Sequence, residues 1–271
     1  MILNKIFLNK VVAITRGEKN NTEFIRKVKQ EGGIPISLPT MKLIPIDSHN
    51  FCQTFSDVSS KKYEYYMFMS PNSVEMFLKM VKENNVSDIL EEQLMKTKVI
   101  AIGPSTKQKL ESNNIPVACT PDDYSSSGLL ELMRKLSPKP GTRIMSPRSG
   151  ASNSFMKEKL NSIGIILDEF HIYYPQIETI DQIWIDFSKK ISDKRVDVMI
   201  FTSPSAVRYF FSIMQQVLSN FREYFQSIDA VISIGPNTTK ELISRNVSSI
   251  ESKEHTINGT LRLAKRILSK N

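Results

Sequence analysis

An internal repeat constrains the fold of this chain more than any other feature. Three segments recur in the same order, with a spacing of 132 or 133 residues. The matched pairs are 67–74 with 200–207, 100–106 with 232–238, and, more weakly, 13–16 with 144–148. Repeated matches in one order at one spacing indicate a duplication. A chain of 271 residues is therefore predicted to form two related domains.

Each repeat is predicted to alternate strands with helices. Short apolar runs typical of buried parallel strands lie at 11–15, 65–69, 99–102, 143–146, 198–202 and 230–234. Helices are predicted to follow them at 19–31 and from Pro71, Pro104, Ala151, Pro204 and Pro236. The order strand, tight turn, helix predicts an α/β fold of two doubly wound parallel-sheet domains.

Two proline-containing stretches, 36–46 and 165–177, interrupt this alternation at equivalent places in the two repeats. Extended segments of this kind suit a two-stranded β-ribbon hinge between domains better than core strands. The predicted division is a discontinuous α/β domain of 1–36 plus 178–271, a second α/β domain of 46–166, and a hinge ribbon of 37–45 and 167–177.

Composition narrows the function classes. Hydrophobic residues make up 40% and charged residues 24%, which is typical of folded globular proteins. The net charge is +8, but no block of five or more like charges occurs, so a polybasic nucleic-acid arm is not predicted. Two interpretations of the basic excess stay open: solubility, or a basic cleft that concentrates an acidic substrate.

The two cysteines, Cys52 and Cys119, have no partner at a zinc-site or disulfide spacing. The three histidines, His49, His171 and His255, show no metal-ligand spacing either. We therefore expect no metal site. The beginning of the chain lacks the apolar core of a signal peptide, and no apolar run is long enough to span a bilayer. A location in the reduced cytoplasm is predicted.

Several common catalytic and cofactor motifs are missing. The sequence contains no GxGxxG, no GxxxxGK[ST] and no GxSxG. Dinucleotide-binding, P-loop and α/β-hydrolase functions therefore lack the residues that they need. No pair of carboxylates stands out for acid–base chemistry, so any reaction must depend on shape and fixed charge.

Four predicted helix starts form the candidate site. Each lies at the carboxyl end of a predicted strand, where open α/β sheets bind their ligands. They are Ser70-Pro71, Gly103-Pro104, Ser203-Pro204 and Gly235-Pro236. Serine caps and a first-turn proline are ordinary helix starts, which is one explanation for them. The other is anion binding, because free N–H groups and the helix dipole favour a carboxylate or phosphate.

Arg16 and Arg148 follow the first predicted strand of each repeat and fall at the same edge. Each can bind a carboxylate through two parallel hydrogen bonds, or can be a surface residue in an unimportant ion pair. Together with the helix starts, they predict a cleft between the domains that binds a polyanionic small molecule and acts on it.

The ordered set of motifs resembles the uroporphyrinogen-III synthase family over residues 11–264. Each motif is weakly specific alone, but the whole set in this order is specific. The motifs are Thr15-Arg16, 70–74, 102–106, 124–129, Arg148, Ile172-Tyr173, 203–207 and 234–238.

This resemblance implies a reaction. The family cyclises hydroxymethylbilane, a linear tetrapyrrole with eight carboxylates, and inverts its ring D to give uroporphyrinogen III and water for tetrapyrrole and heme biosynthesis. It also implies two α/β domains joined by a ribbon, a monomer, and no metal or organic cofactor. Contact with the upstream deaminase stays open, and neither nucleic acid nor membrane is an expected partner. The alternative is a non-catalytic two-lobed α/β module that binds an anionic small molecule.

The resemblance also assigns site residues. Tyr173 matches the family tyrosine on the second hinge strand and is expected to help the substrate hydroxyl leave, with Tyr174 as a competitor for this role. The family threonine two residues after that tyrosine is replaced by Pro175, and Asn237 stands where many members have threonine. The expected substrate-binding residues are Thr15, Arg16, Ser70, Ser73, Gly103, Ser105, Thr106, Arg148, Ser203, Ser205, Gly235, Asn237 and Thr238.

Overall fold

The computed structural model describes residues 5–17 and 21–269. The chain divides into two compact units. The discontinuous unit comprises Met1–Lys42 and Gln176–Asn271, and the continuous unit comprises Leu43–Pro175. Among the described residues, no helix combines the length and the apolarity needed to cross a membrane.

The discontinuous unit is built on a parallel sheet in the order β10-β9-β8-β1-β2. Its strands are β1 (Val11–Ile14), β2 (Ile34–Ser37), β8 (Val198–Phe201), β9 (Ala230–Ser233) and β10 (Ile250–Glu251). Its helices are α1 (Thr22–Gln30), α8 (Gln182–Ser192), α9 (Pro204–Val217), α10 (Pro236–Ile243), α11 (Ile257–Leu268) and the 3₁₀ helix Phe221–Ser227.

The continuous unit contains the second sheet, in the order β3-β7-β6-β4-β5. Its strands are β3 (Met41–Pro45), β4 (Tyr65–Phe68), β5 (Lys98–Ala101), β6 (Arg143–Ser149) and β7 (Ile166–Ile177). Its helices are α2 (Ser48–Ser59), α3 (Pro71–Glu83), α4 (Ser87–Met95), α5 (Pro104–Glu111), α6 (Ser126–Leu136) and α7 (Phe155–Asn161). The strands β7, β6, β4 and β5 are parallel to one another.

The two sheets have the same strand order when each strand is matched to its counterpart in the other repeat. The run β2-β1-β8-β9 in one sheet corresponds to β7-β6-β4-β5 in the other. At the edge, β10 corresponds to an isolated parallel bridge between Ile100 and Cys119. Each sheet therefore combines the first two strands of one repeat with later strands of the other repeat. The predicted α/β class, with two mainly parallel sheets, is confirmed.

Both faces of each sheet are covered by apolar side chains, which explains the continuous apolar runs in the sequence. In β1, Ala13 belongs to a core cluster with Trp184, whereas Val12 and Ile14 belong to a second cluster with Phe24. The strand β4 divides its side chains between two clusters in the same way. Alternation along a strand sends neighbouring side chains to opposite faces, so a strand covered on both faces needs apolar residues throughout.

The predicted extended stretch 36–46 is two strands instead of one. The strand β2 pairs in parallel with β1, and β3 lies beside β7 in the other sheet. Leu38 and Pro39 separate them: the Leu38 side chain is fully buried, and its N–H still donates to Ile14 O at 2.9 Å. Pro39 has no N–H to continue a ladder, so the pairing with β1 ends there.

The strands β3 and β7 run antiparallel. Ile46 N donates to Ile172 O, and Glu178 N donates to Thr40 O, both at 3.1 Å. The chain passes between the two units at Lys42–Leu43 and again at Pro175–Gln176, within these two strands. That the pair acts as a hinge stays a prediction.

Most predicted strand ends lie within one residue of the structure, but the end of β6 and the start of α7 differ by more. The strand β6 continues to Ser149 because it pairs with the long β7 along its whole length, so Arg148 lies inside the strand. A turn follows, in which Ser152 N donates to Ser149 O at 3.1 Å, and α7 begins at Phe155 instead of Ala151. The predicted start of the first helix at Lys19 lies outside the described residues.

Candidate functional site

In the continuous unit, α3 begins at the carboxyl end of β4 with a serine cap. Ser70 Oγ accepts a hydrogen bond from Ser73 N at 3.1 Å, and Ser73 Oγ donates to Ser70 O at 2.7 Å. Ser73 is only 1% exposed, whereas Ser70 is half-buried. The Ser70 hydroxyl therefore caps the helix while facing the edge of the sheet.

The equivalent helix of the discontinuous unit, α9, has the same cap. Ser203 Oγ accepts from Ala206 N at 3.1 Å and lies 3.1 Å from Ser205 Oγ. Both serines are half-buried. The two units thus present a hydroxyl at the same point of the same strand–helix turn, as the repeat predicts.

The helices α5 and α10 begin at Gly103 and Gly235 without a side-chain cap. Their first-turn N–H groups are left without a capping side chain, so an anion can take that place. In the first turn of each helix a threonine is buried, Thr106 and Thr238, each 2% exposed. The neighbouring Ser105 and Asn237 are exposed.

An aromatic side chain lies over each of these glycines. A Cβ placed on Gly103 would come within 3.1 Å of the Tyr124 ring, and one on Gly235 within 3.3 Å of the His255 ring. Both contacts are tighter than ordinary packing, which favours glycine at the two positions. Both glycines are buried beneath these rings.

Thr15 and Arg16 lie at the carboxyl end of β1, next to Thr202 at the end of β8. Thr15 is 3% exposed, and its hydroxyl accepts a hydrogen bond from Thr202 N at 3.2 Å. Arg16 is exposed, and within the described part of the chain it forms no ion pair. Thr15 therefore joins the two strand ends, and Arg16 projects from that edge.

Arg148, the equivalent of Arg16 in the repeat, has a different environment. It is 7% exposed, and its guanidinium Nη1 pairs with Glu169 Oε1 on the neighbouring strand β7. His171 Nε2 lies 3.8 Å from the other oxygen of Glu169. Arg148 therefore already has a carboxylate partner within the protein.

Tyr173 lies on β7 next to these groups and is 6% exposed. Burial raises the pKa of its phenol above the ordinary value of 10.0, and the nearby Ser70 hydroxyl and Arg148 guanidinium act in the opposite direction. The phenol is thus protonated at neutral pH and can donate a proton. Tyr174, by contrast, is 49% exposed.

In the continuous unit, three of the expected site residues lie on neighbouring elements: Ser70 caps α3 after β4, Arg148 lies on β6 and Tyr173 lies on β7. The discontinuous unit brings together Thr15, Ser203 and Ser205 at the ends of two adjacent strands. Within residues 5–17 and 21–269, no group of three His, Cys, Asp or Glu side chains is arranged to hold a metal ion.

A family model described as uroporphyrinogen-III synthase HemD matches residues 22–262, which is most of the chain. The chain belongs to the uroporphyrinogen-III synthase family. A curated relative, the uroporphyrinogen-III synthase of Chlorobaculum parvum, is 26% identical over 207 residues, covering 74% of this chain and 78% of that protein.

Solved structures of two synthases share the fold. A mutant uroporphyrinogen III synthase of Thermus thermophilus matches with a TM-score of 0.66 and 17% identity, over 97% of this chain and 100% of that one. The synthetase of Helicobacter pylori matches with a TM-score of 0.61 and 16% identity over the same shares.

Sequence reasoning did not find every residue that shapes this synthase-family site. Glu169 and Thr202 become visible only through their partners, Arg148 and Thr15, which are distant in sequence. A second pair of helix caps can be recognised from the sequence by its repeat spacing. Ser125 caps α6 and Thr256 caps α11, each followed three residues later by glycine at nearly the same repeat spacing.

Proposed function

We propose that this chain is a uroporphyrinogen-III synthase, a lyase that cyclises hydroxymethylbilane with inversion of ring D and releases water. Membership of the family supports this function. The structural observation that carries it is the set of four helix starts at the carboxyl ends of parallel strands, two in each unit. These starts provide amide and hydroxyl donors for the carboxylates of a heavily charged substrate.

The substrate carboxylates bind where donors are available. The uncapped first turns at Gly103 and Gly235 offer backbone N–H groups, and Ser70 and Ser203 offer hydroxyls. Exposed Arg16 contributes a positive charge. The remaining expected contacts are Thr15, Ser73, Ser105, Thr106, Arg148, Ser205, Asn237 and Thr238.

The first chemical step is departure of the hydroxyl. The C–O bond of the hydroxymethyl group breaks, and the oxygen leaves as water with the proton of the Tyr173 phenol. The pyrrole nitrogen lone pair forms a ring C=N bond, and the electrons of the ring C=C bond shift to form a double bond to the exocyclic carbon. The buried, protonated phenol of Tyr173 supports this assignment. A phenol is a mild acid, so its contribution is moderate, and the reactivity of the substrate itself does the rest.

Ring inversion then follows from positioning. The substituted α-carbon of ring D attacks the new electrophile and gives a spiro intermediate. The bond from ring D to the methylene carbon that joined it to the preceding ring then breaks. The free α-carbon of ring D attacks that methylene carbon, and the proton that this α-carbon loses returns to the Tyr173 phenolate. The protein decides the product by holding the reacting carbons in place, because unassisted closure joins the free α-carbon and leaves ring D uninverted.

The competing function is a non-catalytic module that binds an anionic small molecule with the same helix starts. The test is to generate hydroxymethylbilane in situ with its upstream deaminase, add the purified chain, oxidise the products and separate the porphyrin isomers. We expect the type III fraction to rise with the amount of chain added. Type I alone at every dose would favour the binding module. Contact with the deaminase and a cytoplasmic location stay predictions.

A further inference from the structure

The buried side-chain amide of Asn21 joins three elements at the carboxyl edge of the sheet in the discontinuous unit. Asn21 is only 2% exposed and directly precedes α1. Its Nδ2 atom donates to Arg16 O, just after β1, at 3.1 Å and to Ser37 Oγ, at the end of β2, at 3.3 Å. The amide therefore holds the backbone of Arg16 against the neighbouring strand.

Helix capping does not explain these contacts. An asparagine before a helix commonly accepts a hydrogen bond from an N–H group of the first turn. Within the part of the chain that the structure describes, the Asn21 side chain makes no such bond to α1. Its amide instead donates to the residues before and beside the helix. The side chain therefore serves the turn that contains Arg16, and not the helix that it precedes.

The backbone of Arg16 is held at both of its polar groups. Arg16 N donates to Ile14 O at 2.9 Å, which closes a tight turn directly after β1, and Arg16 O accepts from Asn21. The side chain, by contrast, is exposed and forms no ion pair within residues 5–17 and 21–269. A fixed backbone that carries an uncommitted guanidinium suits carboxylate binding, because less freedom is lost when the ligand binds.

The second repeat contains the same two residue types in a different arrangement. Asn153 follows Arg148 by five residues, just as Asn21 follows Arg16. Asn153 is exposed, and Arg148 stays inside β6, where it is buried and paired with Glu169. The arginine is thus turned out of the strand only in the repeat whose asparagine is buried against the strand ends.

We propose that Asn21 is a positioning residue for substrate binding. Its amide holds the Arg16 backbone in the turn that directs the guanidinium out from the sheet edge, where it binds a carboxylate of the substrate. Without the amide the turn is free to move, so the guanidinium spends less time in the binding geometry and affinity falls. This inference rests on the proposed function, which makes Arg16 a contact of the polyanionic substrate.

The test is a double-mutant cycle between Asn21→Ala and Arg16→Met. Arg16→Met removes the charge and is expected to raise the KM for hydroxymethylbilane about tenfold. Asn21→Ala is expected to raise this KM about three- to fivefold in the wild type, but less than about twofold in the Arg16→Met background. The kcat should stay within about twofold throughout, because the carboxylate contact is made equally in the ground state and the transition state.

A purely structural role of Asn21 gives a different result. Either role lowers the urea midpoint of Asn21→Ala, because buried hydrogen bonds are lost. A structural role also raises KM by the same factor in both backgrounds, and that outcome overturns the proposal. Asn153→Ala, the same change at the exposed counterpart, is the matched control and should keep the wild-type KM and midpoint. If Asn21→Ala does not fold, Asn21→Ser replaces it, because serine can cap α1 but is too short to keep both contacts.

A second measurement does not depend on turnover. The Kd of uroporphyrin III, the oxidised product with the same carboxylate side chains, is measured by fluorescence for the same four proteins and should follow the pattern of KM. A wild-type chain that yields only the type I isomer overturns the proposed function, and the Kd cycle then still decides whether Asn21 acts through Arg16 on a polycarboxylate. Equal effects of Asn21→Ala on Kd in both backgrounds overturn the positioning role. A wild-type chain that neither forms the type III isomer nor binds the porphyrin overturns both proposals.

Discussion

Thr15 and Thr202 are joined by two reciprocal hydrogen bonds at the carboxyl ends of β1 and β8. Thr202 N donates to Thr15 Oγ1 at 3.2 Å, and Thr202 Oγ1 donates to Thr15 O at 2.9 Å. The two residues are 187 positions apart in sequence. Each immediately precedes an expected substrate contact, Arg16 or Ser203, so this pair fixes the spacing of those contacts.

The Thr15→Val variant is expected to lose about 1–2 kcal/mol of stability, because Thr202 N loses its acceptor inside a tightly packed edge. The synthase KM should rise as well, since the ends of β1 and β8 are less firmly joined. Urea unfolding and steady-state kinetics measure the two effects. Thr179→Val is the matched control, because that hydroxyl is exposed. Equal midpoints for the two variants would contradict the prediction.

Gly128→Ala and Gly259→Ala are each expected to destabilise the protein by about 2 kcal/mol or more. In both cases the new Cβ would overlap a backbone carbonyl oxygen, that of Asp123 or Glu254, which cannot move as a flexible side chain can. Gly17→Ala is the control, since among the described residues its Cβ would meet Pro39 at an ordinary 3.6 Å. Thermal unfolding should therefore show a lower midpoint for the first two variants alone.

Tyr173→Phe is expected to lower the kcat of type III formation by about 10- to 100-fold, with the fold intact, because only the proton donor is removed. Tyr174→Phe is the matched control and should stay near the wild-type rate, since its ring is half exposed. Isomer-resolved initial rates decide between the two tyrosines. A wild-type rate in Tyr173→Phe would show that Tyr173 is not the proton donor. A loss of rate in Tyr174→Phe alone would assign that role to Tyr174.

The stability of the fold is expected to fall in alkaline solution. Burial raises the pKa of Tyr63, Tyr66 and Tyr173 above the ordinary value of 10.0. The unfolded chain therefore releases these protons at a lower pH than the folded one does. Below about pH 10 both states keep the protons and stability is unaffected. Above that pH, stability declines until the folded phenols also ionise.

Urea midpoints between about pH 7 and pH 11.5 test this prediction. The decline should be less steep in Tyr173→Phe than in the wild type, because one of the buried phenols no longer titrates. Tyr174→Phe, which changes an exposed phenol, is the control. Parallel declines in the wild type and Tyr173→Phe would show that this phenol does not contribute.

The repeat itself predicted much of the candidate site. Ser70 and Ser203 begin equivalent helices with equivalent caps, and Gly103 and Gly235 begin the next pair. Helix starts are local, because a capping hydroxyl, a proline and the following turn are within a few residues. That is why these positions were accessible from the sequence, whereas their contacts with a substrate stay a proposal.

Sequence alone determined the duplication, the α/β class and the strands that carry the site, because each depends on short-range patterns of apolar and helix-starting residues. Tertiary structure decided the rest. It split 36–46 between two sheets, buried Arg148 against Glu169 while leaving its repeat counterpart Arg16 exposed, and turned Tyr173 through a bulge. These features depend on which distant strands lie side by side, and pairing of that kind leaves no local signature in the chain.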